Sequence, residues 1–285
     1  MTIHEASLQL RFQLFHIYDE REAGNIADLV LEKLTGWQKI DRVMNKNVPL
    51  SQRQEEQLQQ YTDALAKHQP VQYVLQEAWF YNMKLYVDEN VLIPRPETEE
   101  LADWIIKDLR EKKIATPKII DIGTGSGCIP LALKKNLINA DVHACDISTG
   151  ALAVAQKNAS SLHLSIQWHQ LDILNAEARN ALPAFDIIVS NPPYIPQSDK
   201  ASMAANVLEH EPHLALFVED SNPLLFYTTI ADFAKQHLTP TGSIYFEIHE
   251  AMGSAVTKML QEKGFANVEL RKDLQGRDRM IACSR

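Results

Sequence analysis

Residues 118–127 read KIIDIGTGSG. Three isoleucines crowd the first five positions, the composition of a short strand buried in a parallel sheet. Gly123, Gly125 and Gly127 follow. Glycines let the chain turn tightly and let a ligand approach without a Cβ in the way. A helix is expected from Cys128 to about Asn136. Strand, glycine turn and helix together open an α/β sheet, a fold that takes its ligands at the carboxyl ends of its strands.

The alternation continues from there. Strands are expected at 141–146, 165–172, 185–190 and 243–248, and helices at 149–159, 223–236 and 252–263. This is the pattern of a parallel sheet with crossover helices. The end departs from it. Asn267–Arg271 and Met280–Cys283 read as two strands joined by the turn-rich Asp273–Asp278, which makes an antiparallel pair.

Upstream, residues 1–70 read as helices alone. Leu8, Leu10, Phe12, Leu14, Phe15 and Ile17 form one amphipathic segment, and Ile26, Leu29, Val30 and Leu34 a second, which Gly36 ends. Ser51-Gln-Arg-Gln54 is a capping box that starts a further helix. These elements make a small bundle, a module of its own. Residues 71–95 change character: VQYVL, AWFYNMKLYV and VLIP favour strands and read as a β-hairpin linker. A third segment, 96–285, opens with a helix whose first turn is acidic, as the helix dipole prefers.

Bulk properties narrow the function. A net charge of −9 argues against a protein that gains its affinity by neutralising phosphates. Cys128, Cys145 and Cys283 form no CxxC pair, so neither a disulfide framework nor a zinc site is indicated. No apolar run approaches the ~18 residues of a membrane span, and no secretory leader is visible. A cytoplasmic monomer is expected.

Phe185–Tyr194, FDIIVSNPPY, is the second decisive stretch. Two prolines stop the strand and stiffen the elbow after it. The side-chain carbonyl of Asn191 and the backbone carbonyl of Pro192 can accept both hydrogens of a planar NH2 group, with the Tyr194 ring packed on its face. A proline turn after a core strand has a plainer reading too, as an ordinary loop. The glycine motif lowers that reading. Its GxGxG spacing, with Asp121 just before it, favours S-adenosylmethionine over a dinucleotide: an acidic group suits a ligand amino group and is out of place beside a pyrophosphate. Asp146, at the end of the next strand, can accept both ribose hydroxyls, or can cap a helix if Ser148 does not. Asp172 and Ile173 can meet the adenine, although a solvated loop aspartate is an equal reading.

Taken together, DIGTGSG, the ribose aspartate and NPPY resemble a class I S-adenosylmethionine-dependent methyltransferase acting on an NH2 nitrogen. The helical module, the hairpin and LIPRPETEEL at Leu92–Leu101 narrow the resemblance to the protein-(glutamine-N5) methyltransferases of peptide chain release factors, the PrmC/HemK family. The resemblance implies an α/β, Rossmann-like sheet of seven strands in the order 3-2-1-4-5-7-6, with strand 7 antiparallel. It implies S-adenosylmethionine held by Asp121, Gly123, Thr124, Gly125, Ser126 and Gly127, by Asp146 and Ile147, by Asp172 and Ile173, and beside Asn191. S-adenosylhomocysteine is the implied product. Asn191 and Pro192 orient the glutamine amide in this reading, Tyr194 packs on it, and Pro193 and Arg95 join the substrate site. The implied partner is a release factor, its GGQ glutamine the acceptor, with the 1–70 bundle helping to hold it. No metal and no sequence-specific nucleic-acid contact is implied. One departure is that Gln76 stands where the family has glycine, which bears on the hairpin.

Other residues have mundane readings. His210 and His213 lack a third ligand at metal spacing. His249 fits packing better than catalysis. Glu247 is the better candidate at that strand end, and Arg95 has two readings, reaching a ligand or pairing with Glu97 or Glu99. Adenine in nucleic acid, a ribosomal-protein glutamine, a non-catalytic cofactor-binding module and a dinucleotide oxidoreductase are the competing functions. Acidity disfavours the first, an intact NPPY the third and the glycine spacing the fourth.

Overall fold

The computed structural model describes residues 1–285, apart from the side chain of Ser202. The chain forms two compact units: Met1–Glu77 with Ala204–His210, and Ala78–Met203 with Glu211–Arg285.

The first unit is helical. It contains α1 (Ile3–Leu14), α2 (Glu20–Thr35), α3 (Lys39–Met44), α4 (Gln52–Leu65), α5 (Val71–Leu75) and, from later in the chain, α10 (Ala205–His210). Thr2 with Glu5 and Ser51 with Gln54 close capping boxes at α1 and α4. Gly36 ends α2 in the left-handed region at φ 70°. The buried stripe of α1 is Ile3, Ala6, Leu10 and Leu14; Leu8 and Phe12 of the same apolar segment are exposed. In α10, the His210 ring meets the Lys67 carbonyl at 3.0 Å.

Val71–Leu75, expected as a strand, is a short helix. Its last position explains the departure at Gln76. Gln76 sits at φ 54°, ψ 38°, the left-handed cap that glycine fills without strain. The missing glycine therefore belongs to a helix end, and the hairpin turn lies further on. A side chain there costs ~1 kcal/mol.

The second unit opens with that hairpin, β1 (Ala78–Phe80) and β2 (Met83–Leu85). Tyr81 and Asn82 turn it with φ of 47° and 56°, the two positive values of a type I′ turn. Val91–Pro94, expected as a strand, has no regular structure; Val87, Val91 and Ile93 are apolar because they are buried. Pro96 then occupies the first turn of α6 (Pro96–Glu111), where its missing N–H costs nothing.

The main sheet follows, with β3 (Lys118–Ile122), β4 (Asp141–Asp146), β5 (Gln167–Gln170), β6 (Phe185–Ser190), β9 (Leu238–Glu247), β10 (Ala266–Lys272) and β11 (Asp278–Ser284). The short β7 (Ile195–Pro196) and β8 (Phe217–Val218) pair apart from it. Between the strands lie α7 (Cys128–Asn136), α8 (Thr149–Ser161), α9 (Ala176–Asn180), α11 (His213–Leu216), α12 (Leu225–His237) and α13 (Gly253–Glu262). Read across, the sheet runs β5-β4-β3-β6-β9-β11-β10. Counting strands along the chain, that is 3-2-1-4-5-7-6. The seventh, β11, runs antiparallel to both neighbours. This is the class I methyltransferase fold.

Alternate residues of the central strands enter two apolar layers. Ile119, Ile187 and Val189 pack with Trp104 and Ile105 of α6 and Leu131 of α7. Ile120, Phe185 and Ile188 pack with Ile230 and Phe233 of α12 and Leu260 of α13. Four strands differ from their expected limits, β10 and β11 only by running one or two residues longer at each end. β5 is shorter by two residues at each end, and β9 begins at Leu238 instead of Ser243. The early part of β9 passes through Pro240 beside a register shift opposite Phe185 and Ile187, where a residue without an N–H is tolerated.

Candidate active site

A cavity of about 220 Å³ opens at the carboxyl ends of β3, β4 and β6. This is where an open α/β sheet binds its ligand.

The turn after β3 supplies one wall through Gly123, Thr124, Gly125 and Ser126. Gly123 and Gly125 adopt φ of 77° and 53°, and a Cβ built on either would meet nothing within 4 Å. The space over the loop is therefore open, and the backbone conformation keeps it so. The hydroxyls of Thr124 and Ser126 are buried without a hydrogen-bond partner. Gly127 does a different job: its Cβ would stand 3.1 Å from the Ala155 Cβ, so it lets α7 and α8 approach. Asp121 is also off the wall. It is 1 % exposed, and neither carboxylate oxygen has a hydrogen-bond partner. Burial pushes its pKa up to about 7; the Thr124 hydroxyl, near the carboxylate but short of hydrogen-bond geometry, opposes the rise, and the Asp146 charge adds to it.

A second wall comes from Asp146, Ile147, Asp172 and Ile173. Asp146 accepts the Gly125 N–H at 2.9 Å and the Ser148 N–H at 2.9 Å. Ser148, not Asp146, caps α8 by accepting the Ala151 N–H. Burial raises the Asp146 pKa against those backbone bonds. Asp172 accepts the Leu174 N–H at 2.8 Å, an Asx turn at the cavity rim.

Asn191, Pro192 and Pro193 form the third wall. Behind them runs a chain of polar contacts. Asn191 donates from Nδ2 to Thr98 Oγ1 at 3.2 Å, and Thr98 donates to Glu247 Oε2 at 2.6 Å. Tyr194 donates to Glu247 Oε1 at 3.2 Å, and its ring lies edge-on to His249, 6.0 Å between centroids. Tyr194 therefore stands beside the cavity wall and not on it. Burial raises the pKa of Glu247. Arg95 lines the cavity and pairs at 2.5 Å with Glu211, not with Glu97 or Glu99. Glu211, buried, also accepts the Ile93 N–H.

Sequence reading singles out none of four further contributors, although Thr98 lies within LIPRPETEEL. Thr98 and Glu211 are polar residues whose partners lie far along the chain. Asn158 of α8 accepts the Tyr86 N–H at 2.7 Å and donates to the carbonyls of Tyr86 and Ser126. Gly150 keeps clear a space that its Cβ would share with the Asn90 side chain, only 2.5 Å away. Among the described residues, no cluster of His, Cys, Asp and Glu is placed to hold a metal. His213 stacks edge-on against Phe217. No described helix is long and apolar enough to cross a membrane.

Residues 100–216 match the family described as Methyltransferase small domain, and residues 6–75 match the PrmC N-terminal domain. A release factor glutamine methyltransferase of Flavobacterium psychrophilum is 44% identical over 282 residues, spanning 99% of this chain and 98% of that one. The chain belongs to the release factor glutamine methyltransferase family. A second relative under that name, from Bacteroides thetaiotaomicron, is 39% identical over 97% of this chain and 98% of its own. A methyltransferase from Pyrococcus furiosus shares the fold at a TM-score of 0.52 and 15% identity, over 81% of this chain and 97% of that one.

As a member of this family the chain is a methyltransferase, and its cavity fits a methyl-donor cofactor. The glycine loop leaves unfilled room, two buried hydroxyls there lack partners, and carboxylates stand at the ends of β4 and β5.

Proposed function

We propose that this enzyme methylates the side-chain amide nitrogen, N5, of the GGQ glutamine of peptide chain release factors, with S-adenosylmethionine as donor and S-adenosylhomocysteine as product. The observation that carries the reading is the Asn191 amide. Its Nδ2 is committed to Thr98, which leaves Oδ1 as the available acceptor beside the Pro192 carbonyl on the cavity wall. Two acceptors can hold both hydrogens of a glutamine NH2.

When bound, the cofactor supplies an electrophilic methyl group on a sulfonium. An amide nitrogen shares its lone pair with its carbonyl and attacks poorly. Acceptors on its two hydrogens raise electron density at nitrogen and aim it. The rate then comes from positioning and electrostatics, without a strong base. No carboxylate need take the proton beforehand, since the N-methylated amide is acidic enough to lose it afterwards.

In this reading Gly123, Thr124, Gly125 and Ser126 hold the cofactor's amino-acid end. Asp146 takes the ribose, Ile147 and Ile173 sandwich the adenine, and Asp172 meets its amino group. Asp121 and Gly127 support the loop from behind. Pro193 and Arg95 border the glutamine, and Tyr194 stiffens the elbow through Glu247. The bundle of residues 1–70 holds the release factor, 71–95 links, and 96–285 catalyses. The enzyme acts as a cytoplasmic monomer with no sequence-specific nucleic-acid contact of its own.

The test is incubation with labelled S-adenosylmethionine and purified release factor, ribosomal protein or DNA, followed by mass spectrometry. Label on the GGQ glutamine is expected. Label on DNA or ribosomal protein, with the release factor untouched, would overturn the reading.

A further inference from the structure

Asn191 can face the cavity in two ways that differ only by exchanging its oxygen and nitrogen. One presents an acceptor and selects a donor; the other does the reverse. What fixes the choice lies behind it. Glu247 is 1 % exposed, and each of its oxygens receives a hydroxyl: Tyr194 on Oε1, Thr98 on Oε2. A hydroxyl has one proton. Once the Thr98 proton is given to Glu247, its oxygen has only lone pairs to offer Asn191, and Asn191 must answer with Nδ2.

We propose that Thr98 and Glu247 are positioning residues that lock the amide polarity of Asn191, so that the cavity accepts a side chain bringing N–H donors and rejects one bringing only acceptors. The inference rests on the glutamine reading above and explains how such a site refuses glutamate, which matches glutamine in shape. Glutamate would set its carboxylate oxygens against Asn191 Oδ1 and the Pro192 carbonyl. A site built for a donor rejects an analogue lacking it because buried acceptors are left unpaired. The direction of the relay depends on its carboxylate end. An amide at position 247 can donate to Thr98, which frees the Thr98 proton to turn toward Asn191.

The experiment compares wild type, Thr98→Val, Thr98→Ser and Glu247→Gln. Each is assayed for methylation of native release factor, for inhibition by release factor carrying glutamate in place of the GGQ glutamine, and for S-adenosylmethionine affinity by calorimetry. Wild type should bind the glutamine form at least about tenfold more tightly than the glutamate form. Thr98→Val should narrow that ratio to about twofold and lower kcat by about ten- to a hundredfold, with cofactor affinity unchanged within about twofold. Thr98→Ser, which keeps the hydroxyl, should restore the ratio; Glu247→Gln should narrow it.

A folded Thr98→Val that keeps the wild-type ratio would overturn the lock, as would a wild type that binds both forms equally. If Thr98→Val does not fold, the smaller Thr98→Ala, which also removes the hydroxyl, decides by the same ratio. Should wild type leave the native release factor unmethylated, the glutamine reading fails instead, and that arm is scored separately.

Discussion

The two sides of the cavity are built on opposite principles. At the NPPY elbow, Asn191, Thr98, Glu247 and Tyr194 are joined in one chain of hydrogen bonds that leaves only the Asn191 oxygen to offer a ligand. At the glycine loop, the Thr124 and Ser126 hydroxyls are buried with no partner, and open space lies over Gly123 and Gly125. A satisfied polar network holds its geometry before any ligand arrives. An unsatisfied one is costly until something completes it. The elbow is therefore a preorganised reacting wall, and the loop is a binding wall that a ligand finishes.

That contrast can be broken from either side. The largest effect should come from the elbow. Asn191→Ala is expected to lower kcat by about 10²–10³-fold, the scale of losing one preorganised polar group, while cofactor affinity stays within a few-fold by calorimetry. Normal turnover would remove Asn191 from the mechanism and with it the distinction. The loop should answer in the other coordinate. Gly125→Ala puts a Cβ into the open space at φ 53° and should weaken cofactor binding by about tenfold. An unchanged dissociation constant would mean that the space over the loop is not where the ligand lies.

Asp121 gives a third test. Its pKa of about 7 lies above the unfolded value near 3.8, so the folded protein holds the proton longer. The stability tied to this group is fully present below pH ~4 and is lost as pH rises through ~7. Asp121→Asn removes that loss. Urea unfolding of the ligand-free protein should show the variant ahead by roughly 4 kcal/mol at pH 8 and nearly level with wild type at pH 4. An equal gap at both pH values would mean that the carboxylate is not strained by burial. The smallest effect serves as a control outside both walls. Gln76→Gly should add about 0.5–1 kcal/mol of stability with kinetics unchanged, because it relieves a left-handed helix end.

The central strands were legible because short, mostly apolar stretches ended in clear punctuation. Lys118–Ile122, Asp141–Asp146 and Phe185–Ser190 match their expected limits. Val71–Leu75 was not, since a five-residue apolar run fits a strand or a helical turn equally, and its left-handed cap carries no glycine to mark it. Val91 and Ile93 misled for another reason: they are apolar for burial, and burial without periodicity imitates a strand. In the site, the residues that touch the cavity announced themselves as glycines, strand-end carboxylates and prolines. Those that orient them did not. Thr98 meets Glu247 across 149 positions, and Asn158 meets Tyr86 across 72. No local pattern encodes a partner that distant; only the fold brings the two together.

Asn158 has a consequence for how this enzyme can change length. One side chain fastens the stretch after the hairpin to the floor of the glycine loop by three hydrogen bonds. An insertion between Leu85 and Tyr86 would shift Tyr86 out of that grip and pull on the Ser126 carbonyl at the same time. The stretch is held to a fixed length by a residue on another helix.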